Sequence, residues 1–134
     1  MTHDGATAAV VRVRYAETDQ MGVVYYGNYL TWFEVGRTEW LRSRGWTYRE
    51  MEADGRRLPV VEAHCTYRQS ARYDDEIEIR TQGELLSAAR IRFVYEVIRR
   101  GDDTSLAHGY TVHAVTDPTG RPRRLPDRVR SLFA

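Results

Sequence analysis

Asp19 is the acidic residue of this chain whose position best suits it to chemistry. It stands in YAETDQMGVVYYGNY, residues 15–29, just ahead of a long apolar stretch with helical periodicity. An ionised carboxylate can attack an activated carbonyl as a nucleophile, or activate water as a general base. The free N–H groups and the dipole of a helix N-terminus can stabilise the anion that develops on the carbonyl oxygen. The pattern suits hydrolysis of an activated acyl group, with an ordinary turn aspartate as the alternative.

Other catalytic and metal-binding patterns find no support in the sequence. The chain has neither the G-x-S-x-G pattern of a serine nucleophile nor the G-x-x-x-x-G-K-[ST] loop of a nucleotide site. His108 and His113 are an odd number of residues apart on one predicted strand, so their side chains point to opposite faces. The neighbours His64 and Cys65 diverge in the same way, and Cys65 is best explained as a small core residue. We therefore expect neither a metal nor a cofactor.

The composition is that of an ordinary globular protein with almost no net charge. The 134 residues, 1–134, are the size of one domain and include 42% hydrophobic and 29% charged residues. A net charge of +1 provides no general field for nucleic acid, although all 20 basic side chains are arginines. No apolar run approaches the ~20 residues that span a bilayer, and no secretory signal is recognisable. A single cysteine fits a reducing compartment, so we expect a cytoplasmic protein.

The elements that must position Asp19 are a strand before it and a helix after it. Residues 10–15 alternate between apolar and basic side chains, which predicts a half-buried strand ending at Tyr15. Residues 28–44 then show an apolar face too wide for a helix that rests on a surface, so other structure must wrap it. Gly36 within this helix indicates close approach to a neighbouring backbone. Gly45 is suited to the left-handed cap that ends it.

Four further strands are predicted after a possible short helix at Tyr48–Ala53. They are VVEAHCTYR, EIEIRTQGELL, RIRFVYEVIRR and SLAHGYTVHAVTD, followed by a short terminal helix over about 127–133. The turns between them are short, which favours antiparallel hairpins. In the first of these strands, Val61, Ala63, Cys65 and Tyr67 share one face. The order predicts an α+β domain in which one antiparallel sheet wraps a long central helix.

The segment RVRYAETDQMGVVYYGNYLTWFEVGRTEWL, residues 12–41, resembles the signature of the hotdog-fold acyl-CoA thioesterases related to 4-hydroxybenzoyl-CoA thioesterase. The shared pattern is an aspartate, Gly-x-Val, aromatic residues and an Asn-Tyr pair that opens the central helix; RYDDEIEI matches as well. The resemblance implies a five-stranded sheet around the helix, assembled as a homodimer or homotetramer. It places the catalytic carboxylate on Asp19 and the carbonyl-polarising backbone N–H on Tyr26. The subgroup linked to the Tol-Pal system usually has histidine in place of Tyr26, so membership of that subgroup is not implied.

The resemblance also implies a coenzyme A site near the turn between the third and fourth strands. Here that turn is LLSAARIR, which makes Ser87 and Arg90 the expected phosphate contacts, with Arg92 behind them. A solvated hairpin turn is the alternative. Other side chains could reach the substrate across a subunit interface. For Arg121, Arg123 and Arg124 we expect a solvated tail instead. For Glu62 and His64 we expect sheet residues whose hydrogen bonds are satisfied locally.

The expected function is hydrolysis of an acyl- or aryl-CoA, with coenzyme A entering as part of the substrate. Three alternatives stay open: a non-catalytic hotdog module that binds acyl thioesters, a thioesterase acting on an acyl carrier protein, and an enoyl hydratase. Hydratases of this fold use an Asp/His pair near the helix start, and this loop has no histidine. The aromatic residues Tyr25, Tyr26, Tyr29 and Trp32 suit an aryl group or a medium aliphatic chain.

Overall fold

Five antiparallel strands form one sheet in the order β1-β3-β4-β5-β2, with the longest helix packed against one face. The structure, a computed structural model, describes residues 7–133. Its elements are β1 (Thr7–Arg12), α1 (Asn28–Ser43), α2 (Tyr48–Ala53), β2 (Val60–Tyr67), β3 (Glu76–Ser87), β4 (Arg90–Arg99), β5 (Thr104–Ala114) and α3 (Asp127–Arg130). The α+β architecture expected from the sequence is therefore confirmed.

The wide apolar face of α1 is buried against the sheet. Phe33 stacks on Tyr95 of β4 with 4.1 Å between ring centroids, and Trp40 meets Phe93 edge-on at 5.7 Å. All four rings are almost fully buried. Burying one such side chain contributes roughly 1.5–3 kcal/mol. This packing fixes α1 on the sheet and thereby fixes the position of its N-terminus.

Two glycines of the helical region stand where a larger side chain or an ordinary backbone conformation would not fit. A Cβ on Gly36 would lie 2.3 Å from Thr81 Oγ1 and 2.8 Å from Ile79 Cγ2, so any larger residue would push α1 off β3. The close neighbours of Gly36 are thus side chains of β3, rather than the backbone that the sequence led us to expect. Gly45 has φ +89° just after α1, which confirms the left-handed cap.

The first strand lies earlier in the chain than its alternation predicts. β1 ends at Arg12, and Tyr15, expected on the strand, is 77% exposed in a single helical turn, Tyr15–Glu17. The cause is local: the Arg14 N–H donates to Glu17 Oε1 at 2.8 Å, and the Thr18 N–H donates to the Tyr15 carbonyl at 3.0 Å. These bonds remove the backbone from the sheet ladder.

Strand β2 lies at an edge of the sheet. The face that Val61, Ala63, Cys65 and Tyr67 share remains largely open: Val61 is 49% exposed and Tyr67 is 43% exposed. The reason is that α1 packs mainly on β1, β3 and β4, and meets β2 through contacts such as that between Tyr29 and Tyr67. An edge strand presents unpaired N–H and C=O groups to any partner that can add a strand. None of the helices in residues 7–133 is long and apolar enough to cross a membrane.

Candidate active site

The Asp19 carboxylate belongs to a tight turn that uses only one of its two oxygens. The Asp19 N–H donates to the Val23 carbonyl and the Gly22 N–H donates to the Asp19 carbonyl, both at 2.9 Å. The Met21 N–H donates to Asp19 Oδ1 at 2.9 Å, which is the local bond of a turn aspartate. Oδ2 has no hydrogen bond to any residue in 7–133. Turn residue and reactive carboxylate are therefore compatible roles for Asp19.

Glu17 ties this turn to the start of α1. Its backbone carbonyl accepts the Tyr25 N–H and the Asn28 side-chain amide, each at 2.9 Å. The Val24 N–H donates to the Ala71 carbonyl at 2.9 Å, so the segment is also held from the chain leading into β3. Glu17 is only 8% exposed. Neither Glu17 nor Asn28 was predicted to hold this turn; the Asn-Tyr pair at the helix start was the available signal for Asn28.

The first turn of α1 leaves two backbone donors unused. The Tyr25 carbonyl accepts the Asn28 N–H at 2.9 Å, and the Tyr26 carbonyl accepts the Tyr29 N–H at 3.2 Å. In a trans peptide the N–H points opposite to the carbonyl, so the Tyr26 and Gly27 N–H groups point out of the helix end. Neither donates to an acceptor within residues 7–133. Such donors can stabilise an oxyanion.

Asp19 and Tyr26 line the same cleft, which has a volume of about 250 Å³. The cleft is largely apolar and aromatic. Its lining residues are Asp19, Met21, Val23, Val24, Tyr26, Tyr29, Tyr67, Arg68, Gln69 and Ser70. Of the four aromatic residues suggested for the acyl group, Tyr26 and Tyr29 line it. Tyr25 packs on Tyr26 outside it, and Trp32 is core.

Tyr67 closes the cleft from β2. Its O–H donates to the Tyr26 carbonyl at 3.0 Å, and its ring meets the Tyr29 ring edge-on at 5.0 Å. Burial, then a hydrogen bond and charge interaction with Cys65, raise the pKa of the Tyr67 phenol, which therefore stays neutral. Burial also raises the pKa of the Cys65 thiol, which makes Cys65 a poor nucleophile, as expected for a core residue. Sequence alone assigned Tyr67 only to the apolar face of its strand.

The residues proposed to bind coenzyme A lie at the other end of the sheet. Ser87 Oγ accepts the Ala89 N–H at 3.2 Å within the β3–β4 turn. Arg90 is exposed and has no ion pair within residues 7–133, whereas Arg92 pairs with Glu84. Strand β3 has 12 residues and separates this turn from the Asp19 region by about 40 Å along the strand. One chain therefore does not bring Ser87, Arg90 and Arg92 to the cleft.

Three of the remaining polar candidates have partners of their own. Glu62 accepts a hydrogen bond from the Tyr110 O–H at 2.6 Å, and His64 stacks on the Tyr110 ring at 5.4 Å. Arg123 pairs with Asp117 at 3.1 Å, while Arg121 and Arg124 are exposed. Glu62 and His64 are thus the satisfied sheet residues that we expected. Among residues 7–133, no cluster of three or more histidine, cysteine or acidic side chains is arranged to hold a metal ion.

Comparison with known proteins gives a consistent result. The model of a family described as the thioesterase-like superfamily matches residues 13–133. The Escherichia coli acyl-CoA thioester hydrolase YbgC is 30% identical over 124 residues, which cover 92% of each chain. The DHNA-CoA thioesterase of Staphylococcus aureus superposes with a TM-score of 0.85 at 35% identity, covering 92% of this chain and 82% of the other. A hypothetical protein from Aquifex aeolicus reaches 0.88 at 31% identity, covering 96% and 99%.

Proposed function

Since the chain belongs to the thioesterase-like superfamily, with the hotdog fold of those thioesterases, we propose that it hydrolyses the thioester of an acyl- or aryl-CoA. The observation that carries this proposal is the pairing, in one cleft, of a carboxylate oxygen without a partner and a backbone N–H without an acceptor. The relatives named above support the choice of coenzyme A as the thiol. Coenzyme A is then part of the substrate, and no cofactor takes part.

The reaction requires each of these two groups at a separate point. The Tyr26 N–H donates to the thioester carbonyl and stabilises the negative charge that develops on its oxygen. Acting as a nucleophile, Asp19 forms a mixed anhydride with the acyl group and releases the thiolate, and water then hydrolyses the anhydride. Acting as a base, Asp19 takes a proton from water, the hydroxide attacks, and the C–S bond breaks as the proton passes to the thiolate. Both routes yield the free acid and coenzyme A.

The proposal includes assembly into a homodimer or homotetramer in the cytoplasm. The open edge of β2 supports it, because exposed apolar residues lie on a strand that can still pair. The separation of the cleft from the β3–β4 turn supports it as well, because Ser87, Arg90 and Arg92 can bind the nucleotide of a substrate in the cleft only from another subunit. Sedimentation at micromolar concentration should show a dimer or tetramer; a stable monomer would contradict the arrangement.

The substitution Asp19→Asn tests the catalytic assignment. It keeps the size of the side chain and an oxygen for the Met21 N–H, but removes the anion that both routes need. Loss of a general base alone typically costs ~10²–10⁴-fold in rate, so we expect kcat to fall at least a hundredfold with little change in KM. Asp103→Asn is the matched control, since Asp103 is a turn aspartate at φ 56°, where asparagine is tolerated, and it does not line the cleft. Native rates for Asp19→Asn on every acyl-CoA would refute the proposal.

Single-turnover hydrolysis in ¹⁸O-labelled water distinguishes the two routes in the native protein. A nucleophilic Asp19 takes up solvent oxygen in its own carboxylate when water opens the anhydride at that carbon, whereas a general base does not. Mass spectrometry of the peptide that contains Asp19 reads out the label. A screen of short, long and aromatic acyl-CoAs identifies the acyl group, and tight binding without hydrolysis of any of them would favour the non-catalytic alternative.

A further inference from the structure

Tyr67 is a side chain of the edge strand β2 that reaches the start of α1. Its O–H donates to the Tyr26 carbonyl at 3.0 Å, across 41 residues of sequence. Its ring also lies edge-on to the rings of Tyr29, at 5.0 Å, and Tyr26, at 6.1 Å. Within one chain, the Tyr67 side chain is 43% exposed, and its phenol oxygen points at the backbone that carries the proposed oxyanion donor.

The bond matters because it acts on a weakly held part of the helix. The Tyr26 carbonyl otherwise accepts only the Tyr29 N–H, at a long 3.2 Å, and helix ends tend to fray. On the preceding peptide, the Tyr25 carbonyl accepts the Asn28 N–H at 2.9 Å. With the Tyr67 bond in place, both peptides that flank the Tyr26 Cα are fixed. The direction of the Tyr26 N–H then depends on three hydrogen bonds, whose donors are the Asn28 N–H, the Tyr29 N–H and the Tyr67 O–H.

We propose that Tyr67 is a positioning residue for the proposed hydrolysis: its phenol holds the Tyr26 backbone so that the N–H faces the thioester carbonyl. This inference rests on the proposed function and deepens it by adding a residue from β2. Tyr67 does not act on the substrate as an acid or base in this role. The phenol remains the donor of one hydrogen bond to the enzyme's own backbone throughout the reaction.

The variant Tyr67→Phe separates the hydrogen bond from the packing, because it keeps the ring and removes the O–H. Loss of an oxyanion donor costs ~10²–10³-fold in kcat, and a misaligned donor should cost less, about tenfold. We expect kcat and kcat/KM to fall together with KM unchanged. Tyr73→Phe is the matched control, because Tyr73 is an exposed tyrosine that packs on Tyr15 and does not line the cleft. Thermal melting verifies that both variants are folded.

Binding of two unreactive analogues supplies a readout that a merely structural role would not move. One analogue is an acyl-CoA ketone, with a methylene group between sulfur and carbonyl; the other is a thioether with no carbonyl oxygen. Tyr67→Phe should weaken the ketone several-fold and leave the thioether unchanged. Native kcat together with native ketone affinity would overturn the proposal, and so would equal weakening of both analogues, which would indicate packing alone. Absence of hydrolysis by the native protein would instead refute the proposed function, while the ketone comparison would still test Tyr67.

Discussion

At one end of the sheet, the Asp19 turn, the start of α1 and Tyr67 form a cleft whose shape depends on tyrosine side chains and backbone hydrogen bonds. At the other end, the β3–β4 turn presents Ser87 and Arg90 to solvent. We refer to these regions as the cleft end and the arginine end. The first offers the Asp19 carboxylate and neutral donors, with Arg68 also in its lining; the second offers the Arg90 guanidinium, which has no carboxylate partner within residues 7–133.

The two ends suit opposite ends of one substrate. The cleft end can hold an acyl group and polarise a carbonyl, and the arginine end can hold phosphate. The arginine end is also well supported: the Val115 N–H donates to the Ala89 carbonyl and the Leu125 N–H donates to the Ala88 carbonyl, both at 2.9 Å. Because the two ends lie at opposite ends of the sheet, the proposed function requires a site that combines the cleft end of one chain with the arginine end of another.

The cores of the two ends should also respond differently to acid. His113 is buried beneath the arginine end, beside Ile91 and Val60 in the sheet register. Its ring lies 2.9 Å from the Leu58 carbonyl through Nδ1 and 2.8 Å from Thr111 Oγ1 through Nε2. A neutral ring with the proton on Nδ1 satisfies both contacts. At the other end, the residues that line the cleft include no histidine, so the buried imidazole distinguishes the arginine end.

The largest effect that we expect is therefore on stability at low pH. Burial, together with the charge of Arg37, lowers the pKa of His113 from 6.5 to about 4. A group that stays neutral in the folded state and binds a proton when unfolded destabilises the fold as pH falls. Its contribution is complete above pH 6.5 and is lost between pH 6.5 and about 4. The free energy of unfolding should drop by about 3 kcal/mol across this window.

Urea unfolding of the native protein and of His113→Gln at pH 7, 5.5 and 4.5 checks this effect. The native protein should lose stability steadily, while His113→Gln should be less stable at pH 7 and show a much shallower decline. His108→Gln, on the opposite face of the same strand, should keep the native slope. Parallel slopes for all three proteins would place the acid sensitivity elsewhere. The carboxyls of Asp102 and Asp117 do not explain it, because hydrogen bonds lower their pKa values below 3.8.

At the arginine end, Arg90→Ala should raise KM for acyl-CoA about tenfold, since a hydrogen bond to a charged group contributes ~1.5 kcal/mol. KM for an acyl-pantetheine without the nucleotide should not change, and neither should kcat. Arg100→Ala is the matched control, because Arg90 and Arg100 flank β4 at opposite ends of the sheet. If Arg100→Ala raised KM instead, the nucleotide would bind at the cleft end of its own chain. Equal effects of Arg90→Ala on both substrates would also remove the nucleotide from this turn.

Local patterns predicted the parts of this structure that depend on local contacts. The helix over 28–44 and the Asp19-to-Tyr26 segment were recognisable because apolar periodicity and a contiguous motif define them. The β1 boundary was wrong because the buried Glu17 side chain binds the Arg14 N–H, which alternation cannot reveal. The exposure of β2 and the contact from Tyr67 depend on which strands α1 covers. Such contacts between distant parts of the chain are determined by the whole sheet, and a partner strand on β2 would change them again.

The smallest effect is the most direct test of a site shared between chains. Asp19→Asn removes the carboxylate of the cleft end, and Arg90→Ala removes the guanidinium of the arginine end. Each homomer therefore has low activity at low substrate concentration. When the two variants are co-expressed at equal levels, random assembly places native Asp19 opposite native Arg90 in about a quarter of the sites, if the two residues come from different chains. Activity of the mixture should then be about a quarter of native. The separate homomers average about 5% of native when Arg90→Ala retains a tenth of the activity, so the mixture should be about fivefold above that average.

If both residues served one site from the same chain, no mixed assembly would contain a native pair, and co-expression would give only the average. Recovery in the mixture, with none on mixing the purified homomers under conditions that prevent exchange, would establish that the cleft end and the arginine end act together across the interface.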